Sequence, residues 1–488
     1  MSADAPLVAW QLVSATERTF RSLVAHGDIL KPGLGLEGSR SRWMSSRTPG
    51  KRSTLLDMRN GLIPAHRHRS RLDESLIFGS RRSFLKLAGL SWLTPVGHLL
   101  AAQAEKSHAP AQSIILIWLD GGPSQLETFD PHPNTMAAGG TKAISTAVKG
   151  IQVAEGYPRL AEMMSSVSLI RSLVSKEGDH ERGTYYIKTG YRPDPTVEHP
   201  SLGAICCHEL PVGDTGIPRH ISLLPGNWPA RGGFLGGEYD AFKTGDPAAK
   251  LPDVTAHVPA ARDLQRVRDL DVVERAFARG RTRRVEATLH RETILRARLM
   301  MTSAQLKAFD ITQEPKQLRD AYGDTAFGRA CLAARRLTEV GVRCVEVTLG
   351  GWDAHVNNHV IHRNRAKELD PALSTLIRDL KDRGTLEKTV VLCAGEFGRS
   401  PKINLAGGRD HWPKGFSVAI AGGRIRGGTV IGATDPKGIK DPETPLTISD
   451  VHATILAAVG LNPRKENVSP VGRPIALSDG KPIASLLI

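Results

Sequence analysis

Acids and imidazoles recur in this sequence where apolar runs end. Asp120 follows one such run and Asp179-His180 follows a second; Asp353 and His355 follow a third, Glu396 and Arg399 a fourth. The segment Arg409-Asp410-His411-Trp412 adds a further cluster. Taken singly each has a plain structural role, since an aspartate caps a helix and a lone loop histidine often only hydrogen-bonds. Grouped together without a cation, they would repel one another and shift one another's pKa values at a cost in stability. One or two divalent metals would relieve that repulsion. Carboxylates mixed with imidazoles suit zinc, manganese or iron, whereas calcium or magnesium would favour an all-oxygen set. The candidate ligands come from Asp120, Asp179, His180, Asp353, His355, Glu396, Asp410 and His411. Arg399 offers a planar fork suited to a tetrahedral oxyanion or, equally, to a structural salt bridge. Asp410 is placed to orient His411. Ser124, shortly after Asp120, is a candidate nucleophile or a turn cap. No Gly-x-Ser-x-Gly occurs, so a nucleophile-elbow hydrolase has no visible nucleophile.

The elements that must carry these residues are legible from periodicity. Ser113–Leu119, Val167–Val174, Cys344–Leu349, Thr389–Ala394 and Ser417–Ala421 are continuous apolar runs, which predicts buried strands. Helical patterns fill the gaps: Leu369, Leu373, Leu376, Ile377 and Leu380 share one face with Gly384 as the stop, and Thr325–Val340 and Ser449–Val459 are similar. Strand alternating with helix predicts an α/β fold with a mainly parallel sheet covered on both faces, whose ligands collect beyond the carboxyl ends of the strands. Asp263 to Phe309, dense in Arg and Glu, reads as a helical hairpin over the sheet with a solvated charged face. Pro211–Pro259, rich in Gly, Pro and Asp, reads as an irregular insertion.

The chain has 488 residues and a formal charge of +15, but residues 1–104 hold 15 Lys+Arg against 7 Asp+Glu and account for +8 of it. The remaining bias is mild and has few aromatics beside it, which argues against nucleic-acid binding. Five cysteines show no metal-type spacing, and Cys331, Cys344 and Cys393 fall in apolar runs as small core residues. Ser80-Arg81-Arg82-Ser83-Phe84-Leu85-Lys86, the apolar stretch Leu87 to Gly97 and Ala102-Gln103-Ala104 compose a twin-arginine signal over residues 80–104, so a periplasmic or secreted protein is expected. The apolar stretch falls well short of the ~20 residues that span a bilayer. Residues 1–79 then form an extension, disordered or arising from a misassigned start, with Met58 a more ordinary beginning, and 105–488 forms the mature domain.

Several motifs carry a family resemblance. They are Leu119-Asp120-Gly121-Gly122-Pro123-Ser124, Glu127-Thr128-Phe129-Asp130-Pro131, Ala334-Arg335-Arg336-Leu337 leading to Gly341-Val342, Gly351-Trp352-Asp353-Ala354-His355, Gly395-Glu396-Phe397-Gly398-Arg399-Ser400-Pro401 and Gly408-Arg409-Asp410-His411-Trp412-Pro413. Over roughly residues 105–488 the chain resembles domain of unknown function family 1501, exported bacterial proteins abundant in planctomycetes and related to the alkaline phosphatase and sulfatase superfamily. The resemblance implies an alkaline phosphatase-like fold and that superfamily, without supplying a substrate. The activity expected is a metal-dependent hydrolase of phosphate or sulfate esters, with a small-molecule or polysaccharide ester as its substrate. Asp120 matches the metal-binding aspartate at the end of the superfamily's first strand. Asp353 with His355 matches an Asp-His pair, and His411 a downstream histidine. Glu396 takes the acid position of an Asp-His pair, but Phe397 stands where the histidine is expected. Counting nine residues back from Thr189-Gly190 reaches His180 at the nucleophile position instead of Ser, Thr or Cys. His180 is then a nucleophile passing through a phosphoramidate, or a metal ligand. The same departures leave a second class open: a catalytically inactive periplasmic binding or assembly protein that accompanies exported cytochrome-like partners.

Overall fold

Long apolar runs with no polar face must be covered on both sides, and they form the middle of a nine-stranded sheet. The computed structural model describes residues 110–228, 230–280 and 289–488; the signal expected at 80–104 and the extension before it lie outside the described residues. In chain order the strands of the sheet are β1 (Ser113–Leu119), β2 (Val167–Val174), β3 (His220–Leu223), β4 (Phe242–Thr244), β5 (Cys344–Leu349), β6 (Thr389–Ala394), β7 (Phe416–Gly422), β8 (Val430–Ile431) and β9 (Leu446–Thr447). Across the sheet the order is β8-β2-β7-β6-β1-β5-β3-β4, with β9 also pairing with β2. β1 runs parallel to β5 on one side, with Ile114 opposite Cys344, and to β6 on the other, with Ser113 opposite Thr389.

Alternate residues of β1 enter two cores. Ile115, Ile117 and Leu119 pack under α5 (Ala326–Glu339) and α6 (Asn358–Asp382), while Ile114 and Trp118 pack with α2 (Leu202–Glu209) and α7 (Ile448–Ala458). The helical face expected around Leu369–Leu380 is buried, and Gly384 ends that segment at φ 64°. α7 begins with a capping box in which Thr447 and Asp450 satisfy each other's backbone N–H groups. The remaining labelled helices are α1 (His180–Thr189), α3 (Ala260–Ala278) and α4 (His290–Thr302); α3 and α4 occupy the charged stretch, and α3 buries none of its residues. Among the described residues no helix is long and apolar enough to cross a membrane.

The mainly parallel, helix-covered sheet agrees with the sequence expectation, with two differences. β7 is antiparallel to both β6 and β2. A parallel neighbour needs a crossover, and the chain between β6 and β7 holds no helix, so it returns as an antiparallel neighbour. The segment Pro211–Pro259 is not wholly irregular either. It supplies β3 and β4, which extend the sheet in parallel from β5; at four and three residues these strands are too short to show a period.

Candidate metal centre

Close approach of three strand ends builds the site. β1 turns immediately through Gly121 and Gly122, both at positive φ (118° and 69°). Side chains would not fit at either position: a Cβ on Gly121 would lie 2.5 Å from the backbone nitrogen of Asp353, and one on Gly122 2.5 Å from the Phe397 ring. The β6–β7 connection folds back on itself as a short ribbon pairing Gly398–Arg399 with His411–Trp412. Glu396, Arg399 and His411 are thereby delivered from one segment to the end of β5, where Asp353 and His355 stand. His180 arrives separately, as the first residue of α1, whose N-terminus is capped by Asp179 accepting from the Arg182 N–H.

Asp353 is the centre of the cluster. Its Oδ1 lies 3.1 Å from His355 Nε2 and 3.3 Å from His411 Nε2, and these two nitrogens are 3.0 Å apart. Its Oδ2 lies 3.4 Å from His180 Nε2. Ligand atoms of His180, Asp353 and His411 all fall within 4.8 Å of one another. Asp410, expected beside His411, instead approaches His355 Nδ1 at 3.5 Å, and His411 Nδ1 donates to the Gly178 carbonyl at 2.8 Å.

That last hydrogen bond assigns the His411 tautomer and leaves its Nε2 with a lone pair. Burial holds the His411 pKa below the usual imidazole value, which disfavours adding a proton there. Asp353, despite partial burial that opposes it, is held below the usual carboxylate range by the Arg399 guanidinium. His411 Nε2 and Asp353 Oδ1 thus present lone pairs, and with His355 Nε2 they form a triangle of ligand-type atoms 3.0 to 3.3 Å apart. Donors bonded at ~2.0 Å to a tetrahedral zinc-like ion lie about 3.3 Å apart. The donor set therefore fits a divalent cation.

Glu396 forms the deeper side. It is fully buried, and its Oε1 accepts from the Gly121 N–H at 3.0 Å and from His180 Nδ1 at 2.7 Å. Its Oε2 finds no hydrogen-bond partner among the described residues. Burial raises its pKa, and the nearby Asp120 charge adds to the effect, while its hydrogen bond raises the pKa of His180. Asp120 is the outlying member: its Oδ1 accepts from Trp118 Nε1 at 3.4 Å, and its Oδ2 lies 3.2 Å from where a Cβ on Gly226 would stand. Phe397 is fully buried, with its ring centroid 4.5 Å from that of His411 and 5.2 Å from that of His180.

The remaining candidates have other surroundings. Arg399 has no exposed side-chain surface, and its guanidinium donates to the carbonyls of Gly121, Gly122 and Arg409 and to Asp353 Oδ1, the last at 2.5 Å. Gln125 braces its backbone from both sides, at 2.8 and 2.9 Å. Ser124 is fully buried; its N–H donates to His362 Nε2 at 2.8 Å and its carbonyl accepts from Thr128. Sequence reasoning passed over Lys188 and Glu346. Glu346 interrupts the apolar run of β5, is 1% exposed, and pairs with Lys188 Nζ at 2.9 Å while Ser222 donates to it at 3.2 Å. An acid inside a strand that must be buried was the available signal, because such a charge requires a buried partner.

A search of curated proteins finds no match. Solved structures similar to this chain include the alkaline phosphatase of the Antarctic bacterium TAB5, at 14% identity over 72% of this chain and 99% of that chain, with a TM-score of 0.34. The PsFucS1 sulfatase from Pseudoalteromonas sp. is similar at 15% identity over 75% and 70% of the two chains, with a TM-score of 0.32. The phosphonate monoester hydrolase from Silicibacter pomeroyi is similar at 13% identity over 77% and 76%, with a TM-score of 0.33. The five cysteines are free and buried, as their apolar surroundings imply. Over residues 111–487 the sequence matches the profile of DUF1501, described as a protein of unknown function, and the chain belongs to that family.

Proposed function

We propose that this chain is an exported, metal-dependent hydrolase of phosphate or sulfate esters. One observation carries the reading: His355 Nε2, His411 Nε2 and Asp353 Oδ1 converge at cation-ligand spacing. Zinc, manganese or iron suits the mixed imidazole and carboxylate donors. Bound there, the ion would act as a Lewis acid towards the charge that develops on the transferred group. His180 donates from Nδ1 to Glu396, which fixes its ring and leaves the Nε2 lone pair facing Asp353 as ligand or nucleophile. Glu396 and Asp120 offer carboxylates for a second ion, and the unpartnered Glu396 Oε2 supports that use. Arg399 fixes Asp353, since its donors are already engaged by four protein oxygens. The Ser124 hydroxyl, buried as it is, would meet an ester only if the Asp120 loop opened.

Elemental analysis of the purified protein tests this reading. Metal at or near one ion per chain, lost in His411→Ala, together with turnover of an aryl phosphate or aryl sulfate, is the expected result. No bound metal sinks it. Metal without turnover across a broad ester panel favours a binding or assembly protein that kept the fold, a reading supported by Phe397 at the missing ligand position and by the engaged donors of Arg399. Co-purification of a cytochrome-like protein from periplasmic extract would then be expected. For export, replacing Arg81 and Arg82 with lysine should retain the protein in the cytoplasm, as fractionation would show.

A further inference from the structure

The metal cluster occupies only one end of α1. His180, Thr184 and Lys188 are spaced four residues apart along this helix and so share one face. Beside that face lies a cleft of about 280 Å³, lined by Glu181, Thr184, Lys188, His199, Trp228 and Arg231 among others. Two contacts tie it to the cluster. Lys188 Nζ lies 4.9 Å from the centroid of the Trp118 ring, whose Nε1 donates to Asp120. Gly226, next to Asp120 Oδ2, leads directly into Asn227 and Trp228 of the opposite wall, and Lys188 Nζ holds that wall through the Trp228 carbonyl at 2.7 Å.

The chemistry of the lining is specific. Thr184 is 1% exposed and His199 5% exposed, yet Thr184 Oγ1 and His199 Nδ1 find no hydrogen-bond partner among the described residues. Leaving buried polar atoms unpaired is costly, so two at one cleft favour a ligand that supplies the missing bonds. Formal charge there is nearly balanced. Lys188 is neutralised by Glu346, and Arg231 stands 3.9 Å from Glu198. A polyanion gains little from such a wall, and a purely apolar group would leave both buried atoms unpaired. Hydroxyl groups donate and accept at once, which matches a threonine hydroxyl and an imidazole lining one cleft. Tyr185 and Trp228 add aromatic faces.

We propose that this cleft is a subsite for a polyhydroxylated, carbohydrate-type group, adjoining the metal cluster at its Asp120 side. Its description as the site of the organic part of an ester rests on the hydrolase reading; its ability to hold such a group does not.

The test uses uncharged methyl glycosides (gluco-, galacto-, manno- and fucopyranosides) with the purified protein, followed by saturation-transfer NMR and titration. These probes carry no ester, so binding is read without turnover, and it is read again after EDTA treatment. At least one glycoside should bind in both conditions, and Thr184→Val and His199→Phe should each weaken it about tenfold, the loss of roughly one hydrogen bond. Should either buried variant fail to fold, Trp228→Ala on the half-exposed wall should weaken binding in its place. The proposal is overturned if no glycoside binds, or if affinity is unchanged in the folded variants. Glycoside binding with no ester turnover keeps the subsite and sinks the hydrolase; aryl-ester turnover with no glycoside binding does the reverse.

Discussion

At the level of single residues, the site is a competition between protons and cations for the same lone pairs. The Gly178 carbonyl fixes His411 so that its Nε2 faces Asp353, and burial resists protonation of that nitrogen. Glu396 and His180 each hold a proton more tightly than in water, the former through burial and the latter through the hydrogen bond between them. Phe397 is the residue that departs most from a two-ion arrangement, because an apolar ring packs against the Gly122 and Gly183 backbones where a ligand could stand. Phe397→His should therefore raise metal content above that of the native protein, read as ions per chain by mass spectrometry. Unchanged metal content would show that Asp120 and Glu396 do not form a second ion position. Much of this site was legible because chemical residue types stood at the ends of apolar runs. The partner of each residue was not. Nothing in the sequence assigns Asp410 to His355 and a backbone carbonyl to His411, since that choice depends on how the ribbon between β6 and β7 closes.

At the level of elements, the strand ends approach so closely that backbone replaces side chain. A Cβ on Gly408 would lie 1.9 Å from the His355 carbonyl, so Gly408→Ala should push the ribbon off the end of β5 and weaken metal retention even though residue 408 is not a candidate ligand. Unaltered retention would mean that the contact is not needed. Five runs read as strands from their apolar character are strands, because both faces of a parallel sheet are covered and the run has no polar side to hide. β3 and β4 escaped that logic through shortness, and the direction of β7 escaped it because apolar character carries no direction. The Lys188–Glu346 pair shows what a run of hydrophobes conceals. It ties α1 to β5 in the interior, and breaking it leaves one buried charge unpaired. Lys188→Met or Glu346→Leu alone should each cost ~3–5 kcal/mol, while the double variant should cost less than the two together. Additive losses in denaturant unfolding would show that the two groups do not act as a pair.

Across the whole molecule, several buried or half-buried carboxylates tie distant segments to arginines. Glu127, after β1, meets Arg409 of the β6–β7 connection at 2.7 Å, with Arg409 fully buried; Glu314 meets Arg335 of α5 at 2.9 Å. Burial alone would raise the pKa of Glu127, but the Arg409 charge, the His362 ring and hydrogen bonds to Ser124 and Arg409 together outweigh it and hold the carboxyl below its usual value of 4.5. Glu314 is lowered too, its own burial being outweighed by hydrogen bonds to Arg336 and Arg335. A carboxyl whose folded pKa is depressed contributes stability that is full above its unfolded pKa and is lost as pH falls through the folded one. The melting temperature should therefore hold from neutral pH down to roughly 5 and then fall through the range below 4.5. Arg409→Leu removes the largest influence opposing burial at Glu127, so that carboxyl's pKa rises relative to the native protein's. At neutral pH the variant should lose ~3–5 kcal/mol, the cost of an uncompensated buried charge. In acid Glu127 takes up a proton in the variant more readily than in the native protein, so the gap between the two should narrow as pH falls. Calorimetric melts of both proteins across that range test the idea, and a gap that stays constant with pH would show that Glu127 and Arg409 do not carry the acid sensitivity of the fold.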